Sequence, residues 1–316
     1  MTSSPVTQVI ETGGAHLASG LAKVEARLRD VAAAAGETVG TWAGDTIAAG
    51  GKRLRPLLVL LAAGDDNAAA VRAATAVELV HAATLVHDDV LDSAPLRRGR
   101  PTVWSTAGRE AAIVTGDHLF ARAFSELVVN GQVAQIRVLS RASSALASGE
   151  LMQRADAWDT TVTVERYVER CELKTARLFE AACELGELST DPARAPALGA
   201  FGRRIGLAFQ ILDDVLDVSG PPERTGKHRG TDLLDGTVTL PLILAGLEDL
   251  DLRAVTTSVQ AEAVCERIAR SGALVRSRER ALTHVADAKR ALPEGMPVAQ
   301  RQAFELVADG VVERYS

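Results

Sequence analysis

The stretch Leu85-Val86-His87-Asp88-Asp89-Val90-Leu91-Asp92 places three carboxylates within five residues of an apolar run. On a helix, residues four positions apart share a face, so Asp88 and Asp92 are expected to lie together. The apolar neighbours predict that this helix packs into a core. The pentapeptide Asp-Asp-Val-Leu-Asp recurs at residues 213–217. One copy alone is compatible with a solvated helix end, but two identical copies on apolar helices favour a functional site.

The carboxylates of the two copies predict a cation site. Two like charges about 4 Å apart repel by roughly 4 kcal/mol at an effective dielectric constant of about 20, so six facing carboxylates require protons, water or cations between them. Oxygen ligands favour Mg²⁺ over zinc or copper, and Mg²⁺ completes its shell with water and substrate phosphates. The cluster Arg97-Arg98-Gly99-Arg100, just past the first copy, suits a phosphate as well. The candidate metal ligands are Asp88, Asp89, Asp92, Asp213, Asp214 and Asp217.

Composition excludes several classes of protein. The 316 residues carry a net charge of −6 with both signs interspersed, which argues against nucleic acid as the main partner. The longest apolar run, residues 57–63, is too short for a membrane span. The N-terminus lacks the charged and apolar regions of a secretory signal, and the three cysteines have no metal-binding spacing. We therefore expect a cytoplasmic protein with reduced cysteines.

Abundant alanine and leucine, only 3% aromatic residues and long periodic segments predict an all-α fold. We expect a flexible tail over residues 1–12 and one domain over residues 13–316, a single-domain helical bundle with a central cavity. The two acidic copies each close a long helix and precede a basic loop, which predicts two helix ends facing that cavity. Helices are expected over residues 16–35, 36–49, 52–64, 67–92, 103–129 (interrupted at 116–117), 133–154, 163–187 and 197–218, with two or three more over 255–314.

Taken together, these motifs resemble those of the trans-isoprenyl (polyprenyl) diphosphate synthase family, and the resemblance spans most of the chain. One acidic pentapeptide would be weak evidence, but two with basic and Lys-Thr-Ala motifs in family order are specific. The segments that carry the resemblance are Gly50-Gly51-Lys52-Arg53-Leu54-Arg55-Pro56, residues 88–99, Gly116-Asp117, Gly149-Glu150-Leu151, Lys174-Thr175-Ala176, residues 209–217, Gly226-Lys227 and Gly230-Thr231-Asp232-Leu233.

The resemblance implies an isoprenoid-synthase bundle, likewise all-α, that joins isopentenyl diphosphate head to tail to an allylic diphosphate. It implies three Mg²⁺ ions per active site and a homodimer. Asp88, Asp92 and Asp213 would bind the metal directly, and the other three aspartates through water or as supports. The implied isopentenyl diphosphate ligands are Lys52, Arg55, His81 and Arg98. The implied allylic diphosphate ligands are Arg97, Lys174, Thr175, Gln210 and Lys227. Of these, Lys174, Thr175 and Gln210 are also the implied catalytic residues, and Thr175 and Gln210 would present polar atoms near the reacting carbons.

Several positions admit a plainer interpretation. His81 is equally compatible with a core histidine, and Lys174 with an exposed helix lysine. The pair His87-Asp88 is also typical of metal phosphohydrolases, although the remaining histidines are scattered. Thr237 departs from the family, which commonly has a lysine in this segment, so one diphosphate contact is in doubt.

Small residues before the first acidic copy bear on product length. Ala83 lies five residues before Asp88, roughly 7.5 Å along a helix axis. In short-chain members of the family a bulky side chain blocks this level, whereas Ala83 and Thr84 are small. The resemblance therefore implies a product of geranylgeranyl length or longer. A terpene cyclase is the first alternative, although cyclases lack a second Asp-rich copy. A silent partner subunit of a heteromeric synthase is the other.

Overall fold

The computed structural model of the protein describes residues 5–220, 229–247 and 249–313. The predicted all-α class is confirmed. The helices are α1 Pro5–Gly13, α2 Ala15–Ala33, α3 Glu37–Ala48, α4 Leu54–Ala63, α5 Ala68–Leu91, α6 Val103–Asn130, α7 Val133–Ala155, α8 Val164–Cys171, α9 Arg177–Glu187, α10 Ala195–Ser219, α11 Thr231–Leu234, α12 Leu240–Ala245, α13 Ser258–Arg270, α14 Ala273–Ala291 and α15 Val298–Glu313. A π-helical turn, Glu172–Ala176, joins α8 to α9, and a 3₁₀ turn, Leu252–Ala254, precedes α13.

The chain divides into two compact units, each built from several separate segments. The first unit comprises Met1–Ser143, Leu178–Gly199 and Leu292–Val307, and the second comprises Ser144–Arg177, Ala200–Ala291 and Ala308–Ser316. One domain over residues 13–316 was expected, and that extent stays a prediction.

Helix α5 is the central element of the first unit. It packs against α2, α4 and α6, and its own residues are buried on every side between Ala70 and Ala83, as in a helix buried all round. Asn67 caps its start by accepting hydrogen bonds from the backbone N–H groups of Ala69 and Ala70, each at 3.0 Å. By length and composition α5 is the one described helix apolar enough to cross a membrane. Because most of it is buried inside the protein, we interpret it as a core helix.

The predicted interruption of α6 at residues 116–117 is wrong. The helix continues there, and its non-helical residue is Gly108, with φ of 87°. Gly116 serves close packing, because a Cβ at this position would lie 2.2 Å from His87 Nε2. His87 thus turns toward α6, where its Nε2 lies 3.2 Å from the Ile113 carbonyl oxygen and its ring stacks on Phe120.

Two further expectations need correction. The tail expected over residues 1–12 is helical from Pro5 onward, because Val9, only 2% exposed, anchors α1 in the core. The single helix expected over residues 163–187 is divided by the π-helical turn. Thr163 caps its start, accepting from the N–H of Arg166 at 3.2 Å.

Candidate active site

In the first unit, the end of α5 presents the first acidic motif, residues 88–92. Asp88 is half-buried and Asp92 is exposed, whereas Asp89 is only 5% exposed. Asp89 accepts a hydrogen bond from Arg97 Nε at 2.7 Å. The first and last carboxylates of the motif therefore remain the more accessible ones, and the middle one binds within the protein.

A short β-hairpin positions Arg97. Its strands, Leu96–Arg97 and Arg100–Pro101, pair antiparallel around a turn formed by Arg98 and Gly99, whose φ values are 52° and 75°. Positive φ at both central residues is the condition for a tight two-residue hairpin turn. The hairpin returns the chain toward α5, which brings Arg97 within reach of Asp89.

The basic motif at the start of α4 contains two arginines with different roles. Arg53 is tied into the protein, since it binds Glu78 at 2.6 Å and Glu25 at 2.5 Å. Arg55 instead lies with its guanidinium carbon 4.5 Å from the centre of the Phe179 ring. Its Nε is buried and has no hydrogen-bond partner among the described residues. Burial lowers the pKa of Arg55 to about 10, which still leaves it charged at neutral pH.

His81 and Arg98 belong to the same electropositive region. Burial, followed by the charges of Arg55 and Arg98, holds the pKa of His81 well below its ordinary value, so the imidazole is neutral. The Arg98 guanidinium lies against Gly51, where an added Cβ would stand 3.0 Å from Arg98 Nη1. Three of the four predicted isopentenyl diphosphate ligands are therefore neighbours. The fourth, Lys52, is exposed in the adjoining loop.

In the second unit, Asp214 is the buried member of the second acidic motif, residues 213–217. It is 4% exposed and accepts from Tyr167 Oη at 2.6 Å and from Gln210 Nε2 at 2.8 Å. Burial, followed by the charge of Asp232, raises the pKa of Asp214 to about 8. Asp213 is exposed, and Asp217 is half-buried. The two motifs thus share a pattern, a buried middle aspartate bound by protein donors.

The π-helical turn places Lys174 and Thr175 in the second unit. Thr175 donates to Gln210 Oε1 at 2.8 Å, which links this turn to Asp214. Lys174 is half-buried and forms an ion pair with Glu150 of α7. Gly149 permits this approach, because a Cβ there would lie 2.4 Å from the backbone nitrogen of Lys174. π-helical turns are rare and frequently occur at functional sites.

Sequence reasoning missed Tyr167, Glu150 and Glu78 as functional supports. A tyrosine one helix turn after a Thr cap looks like an ordinary core residue, and its bond to Asp214 spans 47 positions of sequence. Glu150 stands in a motif that the sequence does single out, but its partner is not readable from spacing. Lys227, a predicted diphosphate ligand, lies outside the described residues.

The donor chemistry fits Mg²⁺. In residues 5–220, 229–247 and 249–313, no three His, Cys, Asp or Glu side chains converge closely enough to hold a metal by themselves. Mg²⁺ does not need such a cage, since one or two carboxylates, water and phosphate oxygens complete its shell. Carboxylates of both acidic motifs, Asp88 and Asp92 in the first unit and Asp213 in the second, supply oxygen donors of this kind.

Comparison with known proteins identifies the family. The family model for polyprenyl synthetase matches residues 37–268. The chain is 39% identical over 276 residues to heptaprenyl diphosphate synthase component 2 of Geobacillus stearothermophilus, covering 83% of this chain and 85% of that protein. This chain belongs to the polyprenyl synthetase family.

Other members support the assignment. The geranylgeranyl diphosphate synthase of Methanosarcina mazei is 35% identical over 280 residues, covering 84% of this chain and 86% of that protein. A polyprenyl synthase structure from Caulobacter crescentus, in complex with calcium and isoprenyl diphosphate, superposes with a TM-score of 0.88 at 35% identity over 100% of both chains. As a polyprenyl synthetase, the chain is a prenyltransferase that makes a trans-prenyl diphosphate.

Proposed function

We propose that this enzyme catalyses the Mg²⁺-dependent, head-to-tail condensation of isopentenyl diphosphate with an allylic diphosphate, giving an all-trans product of geranylgeranyl length or longer. The observation that carries the proposal is the Arg55 guanidinium, whose Nε is buried without a partner among the described residues. Arg98 and the neutral His81 adjoin it. Such a cluster suits an anion, and arginine suits a diphosphate because its fork donates two parallel hydrogen bonds.

The allylic diphosphate supplies the electrophile of the reaction, and isopentenyl diphosphate supplies the nucleophile. The allylic C–O bond breaks and the diphosphate leaves with the electron pair, after which the double bond of isopentenyl diphosphate attacks the allylic cation. The released proton passes to the departing diphosphate, so we assign no base to the protein. When bound, Mg²⁺ would neutralise the charge that builds on the leaving group.

The residues of the chain have separate tasks in this scheme. Arg55, His81 and Arg98, with Lys52, would hold isopentenyl diphosphate. Asp88, Asp92 and Asp213 would be the direct metal ligands, as the resemblance implies, and of these Asp92 and Asp213 are exposed. In the proposal Asp89, Asp214 and Asp217 have supporting roles, and Arg97, Lys174 and Lys227 bind the allylic diphosphate. Thr175 and Gln210 would present polar atoms to the reacting carbons, since they hydrogen-bond each other and Asp214.

The product length rests on the level of Ala83 in α5. Ala83 is fully buried and small, and the neighbouring Thr84 turns its hydroxyl back to the His81 carbonyl oxygen at 2.8 Å. Neither side chain extends far from the helix at this level. Among the relatives, one is named for a heptaprenyl product and another for a geranylgeranyl product, which is compatible with the proposed range.

We also propose a homodimer. Helix α6 exposes apolar side chains at two places along its length, Ile113 and Val114 and, near its end, Val128 and Val129. An exposed apolar patch of this kind is typical of a protein–protein contact. Sedimentation at micromolar concentration should give twice the monomer mass, and a stable monomer would contradict the dimer.

A subunit of a heteromeric synthase is the second candidate. The relative from Geobacillus stearothermophilus is named as a component, which favours this alternative. The retained acidic motifs and basic cluster favour activity of the chain by itself. A terpene cyclase is not favoured, because the second acidic motif is intact and a second diphosphate cluster is present.

One assay tests the proposal. The purified chain alone is incubated with Mg²⁺, isopentenyl diphosphate and, in turn, geranyl, farnesyl or geranylgeranyl diphosphate, and the products are separated by length. We expect elongation of at least one primer, to twenty carbons or more, and none when the metal is chelated. No product from any primer would contradict the activity, and rescue by a partner protein would support the heteromeric alternative.

A further inference from the structure

Trp158, in the loop that follows α7, has a strained backbone. Its φ is 69°, a left-handed conformation that is uncommon for a bulky residue. Such a conformation costs free energy and persists only where the surroundings hold it. The sequence predicts an ordinary core residue at this position, whereas the side chain is half-buried and lies beside a loop of the second unit.

Trp158 holds Gly236 by two contacts. Its backbone N–H donates to the Gly236 carbonyl oxygen at 2.8 Å. Its indole ring lies so close that a Cβ on Gly236 would stand 2.3 Å from two ring carbons, Cδ2 and Cε2. Gly236 also has a φ of 74°, which L side chains rarely adopt. Only glycine therefore fits at position 236 against the indole ring of Trp158.

Further contacts tie the same segment at both ends. The guanidinium of Arg253 lies 5.7 Å from the centre of the Trp158 ring, and the buried Arg170 donates to the Val238 carbonyl oxygen. At the other end, the Asp232 backbone N–H donates to Asp217 Oδ2 at 3.3 Å. Residues 232–238 thus run between the second acidic motif and the tryptophan.

Within that segment, the Thr237 N–H donates to the Asp232 carbonyl oxygen at 2.8 Å. This bond closes the turn that connects the tryptophan end of the segment to the acidic end. A displacement of Gly236 would therefore be transmitted through Thr237 to Asp232.

We propose that Trp158 is a positioning residue for divalent-metal binding, which holds residues 232–238 so that Asp232 stays beside the second acidic motif. The inference rests on the proposed function, because it assumes that this motif binds Mg²⁺. In this proposal Trp158 acts through residues 232–238 and not through contact with a substrate. Groups that hydrogen-bond metal ligands typically change metal affinity by about 10- to 100-fold when they are removed, and the Asp232 backbone N–H is such a group because it donates to Asp217.

The test measures metal binding directly. Calorimetry with Mg²⁺ and inorganic pyrophosphate is performed on the full chain, on Trp158→Ala and on Trp158→Phe. Trp42→Ala is the matched control, because Trp42 is also a half-buried tryptophan and lies in the first unit. We expect Trp158→Ala to weaken Mg²⁺ binding about tenfold, Trp158→Phe to weaken it less, and Trp42→Ala to match the wild type. The KM for isopentenyl diphosphate should be the same in all four proteins.

Gly236→Ala tests the contact between Trp158 and Gly236 by changing the glycine instead of the tryptophan. Its Cβ would collide with the indole ring, so we expect the same loss of Mg²⁺ affinity. If Trp158→Ala does not fold by circular dichroism, Trp158→Phe and Gly236→Ala decide, and wild-type affinity in both overturns the proposal.

Asp213→Ala distinguishes a wrong metal assignment from a wrong role for Trp158. If it binds Mg²⁺ as the wild type does, the metal assignment of the proposed function is wrong. If it loses Mg²⁺ while Trp158→Ala matches Trp42→Ala, the metal assignment stands and the role of Trp158 is refuted.

Discussion

Asp89 accepts a hydrogen bond from Arg97 Nε at 2.7 Å, and the carboxylate is almost fully buried. The equivalent residue of the second motif, Asp214, is equally buried but receives its hydrogen bonds from Tyr167 and Gln210, which are uncharged. One buried aspartate is therefore neutralised by a cation and the other is not, so the two identical pentapeptides are not electrostatically equivalent.

The Asp89–Arg97 pair predicts a strong coupling. Removing either partner alone leaves the other without its ion pair, whereas removing both costs little more than removing one. In a double-mutant cycle of Asp89→Asn and Arg97→Gln, we expect a coupling of about 1–3 kcal/mol in the free energy of unfolding. Urea denaturation measures it, and additive effects would show that the two side chains act independently.

Loss of Asp88 or Asp213 is expected to lower turnover and not stability. Asp88→Ala and Asp213→Ala should each reduce turnover by several orders of magnitude with the fold retained, because each removes a metal ligand that acts mainly on the transition state. Steady-state assays at saturating Mg²⁺ and circular dichroism measure this. Asp45→Ala, an exposed aspartate of α3, is the control and should keep the wild-type rate. Near-wild-type turnover in Asp88→Ala or Asp213→Ala would refute the two-motif assignment.

Local sequence signals predicted much of the fold. Residues 67 and 163 are the expected starts of two helices, and in the structure the side-chain oxygens of Asn67 and Thr163 accept from backbone N–H groups two or three positions later. Gly116 was misread because a glycine that breaks a helix and a glycine that lets a ring pack against it look identical in sequence. Only the position of His87 distinguishes the two.

The sequence predicted which residues form the site, but not all of the residues that they contact. Charge and recurrence singled out Asp89, Asp214 and Arg55, since unpaired charges on apolar helices are costly. Tyr167, a partner of Asp214, and Phe179, a partner of Arg55, lie far away in sequence and carry no local signal. Arg97 and Gln210, in contrast, lie near Asp89 and Asp214 in sequence. The π-helical turn at Lys174 is likewise set by packing, because Gly149 admits the backbone there.

The neutral state of His81 predicts a contribution to acid sensitivity. Its pKa in the folded protein is lowered, first by burial and then by the charges of neighbouring arginines. As the pH falls below about 6.5, the unfolded chain takes up a proton at this residue that the folded chain does not, so stability is lost. Between about pH 7.5 and 5, the Tm of the wild type should fall by more than that of His81→Gln. Equal decreases in scanning calorimetry would show that His81 is not responsible.

Replacing Thr237 with lysine is expected to strengthen binding of the allylic substrate. Its backbone is anchored to Asp232, and its side chain is half-buried where the family commonly has a lysine. Thr237→Lys should tighten binding of the allylic substrate by up to about 1–3 kcal/mol if the new ammonium hydrogen-bonds the diphosphate. Thr160→Lys, at an exposed position of the same unit, controls for the added charge. An unchanged KM for the allylic substrate in Thr237→Lys would mean that another residue already fills the role.

The last prediction concerns product length and the small side chain of Ala83. This residue is fully buried on α5, one turn and more before Asp88, so a larger group there must occupy space inside the first unit. Ala83→Phe should shorten the main product by at least one isoprene unit, because the ring would fill volume that the growing tail uses. Overpacking of a core also costs about 1–3 kcal/mol of stability, so the variant needs a control for general damage. Ala82→Phe provides it, since Ala82 is also buried on α5 but faces about 100° away around the helix. Products of the three enzymes are separated by length at equal turnover. Shortening in Ala83→Phe alone supports a tail that passes this level, whereas an unchanged distribution with activity intact would show that the tail runs elsewhere.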